Sequence, residues 1–237
     1  MRGADPVHVP LMIHRWQWLT FMHWPYRADT VQRLVPTGLT VETFDGQAWV
    51  GLIPFRMRVR FPGLPHLGPP STFPETNVRT YVTGPDGKSG IWFFSLDAGR
   101  LAPTLVARTL FSLPYVWSRM SISRSGREIE YRATRRWPDR GTWSMARIAV
   151  GDLAAPVVPG GLEDFLVSRF RLYGRGRRGL FVVPAEHPPW RLHSARPVEL
   201  RDGLVEAAGL PAAHGSPLAH YAAGVEVRIG PRTRVSP

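Results

Sequence analysis

The chain has 237 residues, 43% of them hydrophobic and 11% aromatic, and no cysteine. That length is ample for a sizeable buried core, and the lack of cysteine excludes disulfides, thiolate nucleophiles, iron–sulfur clusters and cysteine-ligated zinc. The formal net charge is +12, and Lys88 is the only lysine among the 30 basic residues. Such a charge attracts polyanions, yet arginine in place of lysine is also what a GC-rich genome produces, and the arginines are dispersed along the chain. The one dense cluster is Arg175, Arg177 and Arg178, a glycine-spaced loop suited to phosphate. No helix-turn-helix, zinc-finger or RNP pattern accompanies it, so nucleic acid is not an expected partner. No apolar run reaches the roughly 18 residues of a membrane span. The N-terminal MRGADPVHVPLMIHRWQWL lacks the apolar core and cleavage site of a secretory signal, so a cytoplasmic protein with no membrane partner is expected.

From Met12 to Trp24 bulky residues alternate with period two, His14, Trp16, Trp18 and Thr20 against Ile13, Gln17, Leu19 and Phe21, as in a central strand with two packed faces. Asp29 to Leu34 predicts one or two helical turns stopped by Pro36. Asp45-Gly46 is a hairpin signal, followed by a long strand through Phe61 with Pro54 at a bend or bulge. The five prolines from Phe61 through Pro74 predict a loop, a candidate lid over a site. A hairpin follows, Val78 to Leu96, with Lys88 exposed in its turn. Leu101, Leu105, Val106 and Leu110 recur at helical spacing. Ser118 to Arg124, Arg127 to Arg136 and Thr142 to Val150 form a meander. A second helix is predicted from Leu162 to Leu172, ending at Gly174. Strands at Leu180 to Val183, Arg191 to Leu200 and Val225 to Ile229 surround a short helix, Leu204 to Ala208, closed by Gly209. Residues 1–237 thus read as one α+β domain: a curved antiparallel sheet closing into a barrel-like core with two or three packed helices.

Several motifs in order carry a resemblance over nearly the whole chain. They include His14-Arg15-Trp16, His23-Trp24, Ala48-Trp49-Val50-Gly51, Phe73-Pro74-Glu75 with Asn77, Arg79-Thr80-Tyr81-Val82, Phe93-Phe94-Ser95-Leu96-Asp97, Leu113-Pro114-Tyr115 and His187-Pro188-Pro189-Trp190. The pattern resembles the YqjF-like family of uncharacterised bacterial proteins, which is similar in fold to acetoacetate decarboxylase. The resemblance implies a barrel enclosing a small-molecule pocket and assembly into a homodimer or larger homo-oligomer. It also implies what is missing. The decarboxylases attack a ketone with a buried lysine, whereas this chain has Tyr115 where that lysine would stand, and a tyrosine forms no imine. Lys88, in a solvated turn, stays protonated.

The rest of the pocket is retained in the pattern. Glu75 matches an active-site glutamate of the relatives, and Asn77, Arg79 and Tyr81 share its strand face. An inward carboxylate, amide, guanidinium and phenol suit a small organic or keto acid bound through Arg79, with Glu75 and Tyr115 as proton-transfer groups. The competing reading is a buried Glu75–Arg79 ion pair holding strands together, with Asn77 capping a bulge. His14 is a candidate substrate contact or a hydrogen-bonded core histidine. Ser95 and Asp97 suggest a nucleophile and partner less well than Asp97 suggests a helix cap. His187, His193 and His220 complete no metal-ligand spacing, so no metal and no cofactor are expected. The first reading is therefore an enzyme of the lyase, hydratase or isomerase type without the Schiff-base lysine. The second is a non-catalytic binding or sensor protein, and the third is polyanion binding at Arg175, Arg177 and Arg178.

Overall fold

The computed structural model describes residues 6–63, 71–101 and 113–235. The first strand, β1 (Met12–Arg27), runs into the short helix α1 (Ala28–Gln32) and a brief β2 (Thr40–Val41). Asp45 and Gly46, with φ of 49° and 74°, make the tight turn into β3 (Gln47–Arg60). The hairpin β4 (Thr72–Thr83) and β5 (Ser89–Ala98) carries Lys88 in its exposed turn. The meander β6 (Tyr115–Ser125), β7 (Glu128–Trp137) and β8 (Trp143–Leu153) follows, then α2 (Leu162–Val167). The chain closes with β9 (Arg171–Gly176), β10 (Gly179–Glu186), β11 (Leu192–Asp202), α3 (Leu204–Ala207), β12 (Leu218–Ile229) and β13 (Thr233–Arg234). Among the described residues no helix is long and apolar enough to cross a membrane.

Strand pairing runs β5-β6-β7-β8-β11-β12-β1-β3-β4 and returns to β5, a closed nine-stranded barrel that carries, among the described residues, three short helices. It is mixed rather than wholly antiparallel, because β5 pairs in parallel with both β6 and β9. A second path from β5 to β12, through β9 and β10, makes a smaller ring on the same strip of strands. The strip β12-β1-β3-β4-β5 is therefore covered on both faces, which explains its long apolar runs. One face, with Met22, Val50, Leu52 and Val78, packs on Ile129, Tyr131 and Ile148 of the meander. The other, with Phe21, Ile53, Phe55 and Phe73, packs on Phe181 and Val183 of β10 and Phe165 and Leu166 of α2.

A bulge decides which side chains of β1 face which core. Between the rungs Gln17↔Arg56 and Met22↔Leu52, β1 holds one residue more than β3. Trp18 absorbs it with φ of 54°, a conformation that costs a β-sheet tryptophan about 1–3 kcal/mol. The Tyr131 hydroxyl donates to the Trp18 carbonyl at 2.7 Å and holds the kink. Alternation is reset there, so His14 and Trp16 share a face with Leu19 and Phe21, not with Trp18 and Thr20 as strict period two predicts. Pro54 lies in β3 opposite this irregular stretch, where the missing N–H costs least. On the other side Gly224 approaches so closely that a Cβ would lie 2.6 Å from the Trp16 carbonyl oxygen.

Other expectations shift for similar tertiary reasons. The helix predicted from Leu162 to Leu172 stops at Val167, because the Arg169 side chain turns back to the Phe165 carbonyl (2.7 Å) and Arg171 enters a strand between β5 and β10. Gly174 accordingly sits within β9, against the Phe181 ring. Pro74 belongs to β4 and not to the preceding loop, just past the last β4–β5 rung, Glu75↔Ala98. The strand predicted from Val225 begins at Leu218; its small residues lie where β12 fits between β11 and β1. The helix expected around Leu105 and Leu110, and most of the proline-rich loop, lie outside the described residues.

Candidate functional site

The second face of the shared strip encloses a cavity of about 430 Å³, within the range of small-molecule sites. Its wall comes from every strand of the smaller ring. Trp16, Phe21, Phe55, Phe73, Phe93 and Trp190 belong to its apolar lining, with aliphatic residues such as Leu19, Ile53 and Met57 between them. Phe61, Ser71 and Leu113, which flank the two internal segments outside the described residues, line it as well. No residue of the meander β7–β8 does.

Along β4 the residues Glu75, Asn77 and Arg79 point into this space and are 3–6% exposed. Tyr115, at the start of β6, donates its hydroxyl proton to Glu75 Oε2 at 3.1 Å. Burial, reinforced by the nearby Asp97 charge, raises the Glu75 pKa to about 8 against the pull of the Tyr115 hydrogen bond. Glu75 is therefore mostly a neutral acid at pH 7. Tyr115 is pushed well above the ordinary phenol range by burial and by Glu75.

The expected alternative, a Glu75–Arg79 ion pair, is not formed. The Arg79 guanidinium instead donates from Nη2 to the Leu166 carbonyl (3.3 Å) and the Tyr81 hydroxyl (3.4 Å), and lies 5.6 Å from the centres of the Phe21 and Tyr81 rings. Its Nε has no partner, and among the described residues Arg79 faces no carboxylate. The buried Asn77 Oδ1 is also unpartnered, so Asn77 caps no bulge through that atom. Tyr81 is placed differently from its three strand neighbours. Its hydroxyl donates to the Leu166 carbonyl (2.7 Å) and accepts from His23 Nε2 (2.6 Å), outside the cavity wall, so it orients Arg79 and does not face the space.

Near the other end of the cavity stands His14, both ring nitrogens buried without a partner, its pKa lowered to about 4 by burial alone. The indole Nε1 of Trp16 is likewise buried and unpartnered. Four polar residues that the sequence did not single out for this site also line it: Arg169, Arg171, His187 and Trp190. Arg169 is held by Glu42 (2.6 Å). His187 faces the Pro188 and Arg169 carbonyls, and burial lowers its pKa. The period-two spacing of Arg169, Arg171 and Tyr173 is a strand signal that a helical reading conceals.

Asp97, the expected cap of a helix that lies outside the described residues, stands near the end of β5. It accepts two hydrogen bonds from Arg135 at 3.0 Å and one from Ser118 at 2.7 Å, all buried. Arg175 and Arg178 sit on the exposed tip of the β9–β10 hairpin with Arg177, apart from the cavity wall. Among the described residues no group of three His, Asp or Glu side chains is arranged to hold a metal.

Residues 14–226 match the family model DUF2071, described as an uncharacterized conserved protein. The uncharacterized protein YqjF of Bacillus subtilis (strain 168) is 34% identical over 231 residues, covering 95% of this chain and 93% of that protein. Among solved structures, the enduracididine biosynthesis enzyme MppR complexed with pyruvate superposes with a TM-score of 0.66 at 14% identity, covering 98% of this chain and 93% of that one. An acetoacetate decarboxylase-like enzyme from Sphingomonas wittichii RW1 gives 0.67 at 14%, with coverage of 96% and 94%. Acetoacetate decarboxylase from Legionella pneumophila gives 0.61 at 11%, with coverage of 97% and 92%. At these identities the likeness is one of fold.

Proposed function

This chain belongs to the DUF2071 family, and from that premise we propose that its cavity binds a small organic or keto acid through Arg79 and acts on it by proton transfer. The observation that carries the reading is a buried guanidinium in an apolar cavity with no carboxylate facing it among the described residues. A buried charge without a counter-ion is costly, and an acid's carboxylate supplies one with the geometry a guanidinium prefers. The neighbour complexed with pyruvate supports keto acids as first probes.

Glu75 and Tyr115 provide the proton-transfer pair for a lyase, hydratase or isomerase-type step. As a neutral acid near pH 7, Glu75 can protonate a developing oxyanion or carbanion; once ionised it is the base for the reverse transfer. Imine chemistry has no nucleophile here, because the one lysine lies in an exposed turn and a tyrosine hydrogen-bonded to Glu75 occupies the place the resemblance assigns to the reactive lysine. That same absence favours a second reading, a binding or sensing protein that leaves its ligand unchanged. Calorimetric titration with pyruvate and larger 2-keto acids, followed by NMR of the ligand, separates the readings. Binding lost in Arg79→Met, with turnover lost in Glu75→Gln, is the expected result. Full affinity in Arg79→Met overturns it.

A further inference from the structure

His23 and Arg79 share one rung of the sheet, with a glycine between them. His23 on β1 pairs with Gly51 on β3, and Gly51 pairs with Arg79 on β4, so two strand spacings of ~4.8 Å separate the two side chains. A side chain at Gly51 would stand in that gap. A Cβ there would lie 3.0 Å from both Cδ2 and Nε2 of the His23 ring and 2.6 Å from Ile53 Cδ1. With glycine in place, the imidazole crosses β3 and its Nε2 lies 2.6 Å from the Tyr81 hydroxyl. The Leu166 carbonyl can only accept, so the Tyr81 proton goes to it at 2.7 Å and the phenol oxygen accepts from His23. That fixes the imidazole proton on Nε2. Burial, with the Arg79 charge and His220 nearby, lowers the His23 pKa and keeps the ring neutral.

Resting on the reading of Arg79 as the carboxylate contact, we propose that His23 is a positioning residue for that contact: across the Gly51 gap it holds the Tyr81 hydroxyl as an acceptor toward Arg79 and so aims the guanidinium. The same phenol oxygen and the same Leu166 carbonyl accept from Arg79 Nη2, at 3.4 and 3.3 Å. A phenol that turned its proton toward Arg79 would set a donor against a donor; the His23 donor prevents it. Both anchors fall on Nη2. Among the described residues Nη1 has no protein partner, and it is not enclosed as Nε is, so Nη1 is the nitrogen left for a ligand oxygen. The histidine itself is costly where it stands. It is fully buried, stacked on Phe21 at 6.3 Å, and its Nδ1 has no partner. A leucine there would carry no unpaired polar atom, so the imidazole is accounted for by the donor it supplies to Tyr81.

The test compares phenylpyruvate with its methyl ester, which keeps the body and removes the carboxylate charge, by calorimetry on the full chain and its His23→Leu and His23→Gln variants. The unmodified protein is expected to prefer the acid. His23→Leu is expected to weaken phenylpyruvate about tenfold, as loss of one buried hydrogen bond does, and to leave the ester unchanged. His23→Gln, whose amide nitrogen donates from the place of Nε2, is expected to restore most of the acid's affinity. A histidine with a merely structural role would loosen the cavity for acid and ester alike, and that result overturns the inference. So does an acid preference that survives His23→Leu, or one that His23→Gln does not rescue. Should His23→Leu not fold, His23→Asn takes its place: its shorter amide falls short of Tyr81, and an acid preference equal to that of His23→Gln overturns the inference. Failure of the unmodified protein to prefer the acid at all overturns the Arg79 reading, and this inference with it.

Discussion

Two buried charge clusters lie on neighbouring strands, and they solve the same problem in opposite ways. On one face of the shared strip Asp97 meets Arg135 through two hydrogen bonds and Ser118 through a third, and both members of the pair are almost wholly buried. On the other face Glu75 and Arg79 are equally buried but do not meet; the carboxyl takes up a proton with a pKa of about 8, and the guanidinium is left with one carbonyl, a phenol and aromatic rings. The first cluster is complete within the chain. In the second, Arg79 meets no carboxylate among the described residues. Burial of a charged residue therefore says little about function until its partners are known.

The sharpest way to break this contrast is to remove one partner from the complete cluster. Arg135→Met strands the Asp97 carboxylate, and chemical denaturation is expected to register a loss of about 3–5 kcal/mol; a loss below ~1 kcal/mol would mean the pair is not structural. Next in size is the pH dependence of Glu75. Its folded pKa lies above the unfolded value, so its stabilising contribution is fully present below about pH 4.5 and is lost as pH rises to about 8. The slope is at most ~1.4 kcal/mol per pH unit in that window. Glu75→Gln should flatten that part of the stability profile, and an unchanged slope would assign the titration elsewhere.

Arg79→Met sharpens the contrast from the other side. It removes a cation with no facing carboxylate, so stability is expected to change by less than ~1 kcal/mol, while pyruvate or phenylpyruvate affinity falls about a hundredfold, as for other truncated buried charge contacts. A stability loss as large as that of Arg135→Met would make the two clusters equivalent. The smallest effect concerns the bulge that sorts the two faces. Tyr131→Phe removes the hydrogen bonds to the Trp18 carbonyl and Thr20, a loss of about 1 kcal/mol measurable as a lowered unfolding midpoint; ligand affinity should change little.

Local pattern made much of this molecule legible. The Asp45-Gly46 and Pro85 to Lys88 turns, the three-strand meander and the Gly209 helix end, with φ of 88°, follow from residue preferences that act within a few positions. The period of two along Glu75, Asn77 and Arg79 placed all three on the inward face, because strand geometry fixes side-chain direction without reference to the rest of the fold. It carried too far at Tyr81, whose phenol is claimed by the Leu166 carbonyl from α2. What lay beyond reach were properties of distant pairs. Whether Glu75 faces Arg79 or Tyr115, and where Asp97 finds Arg135, depends on strands 38 to 40 residues apart in the chain. Likewise the bulge at Trp18 is a compromise among β3, β12 and Tyr131 that no window around Trp18 encodes, and it sets which tryptophan faces the cavity. The alternation of side chains is a local consequence of backbone geometry, whereas the cavity and its unsatisfied groups exist only once ring closure has brought those strands together.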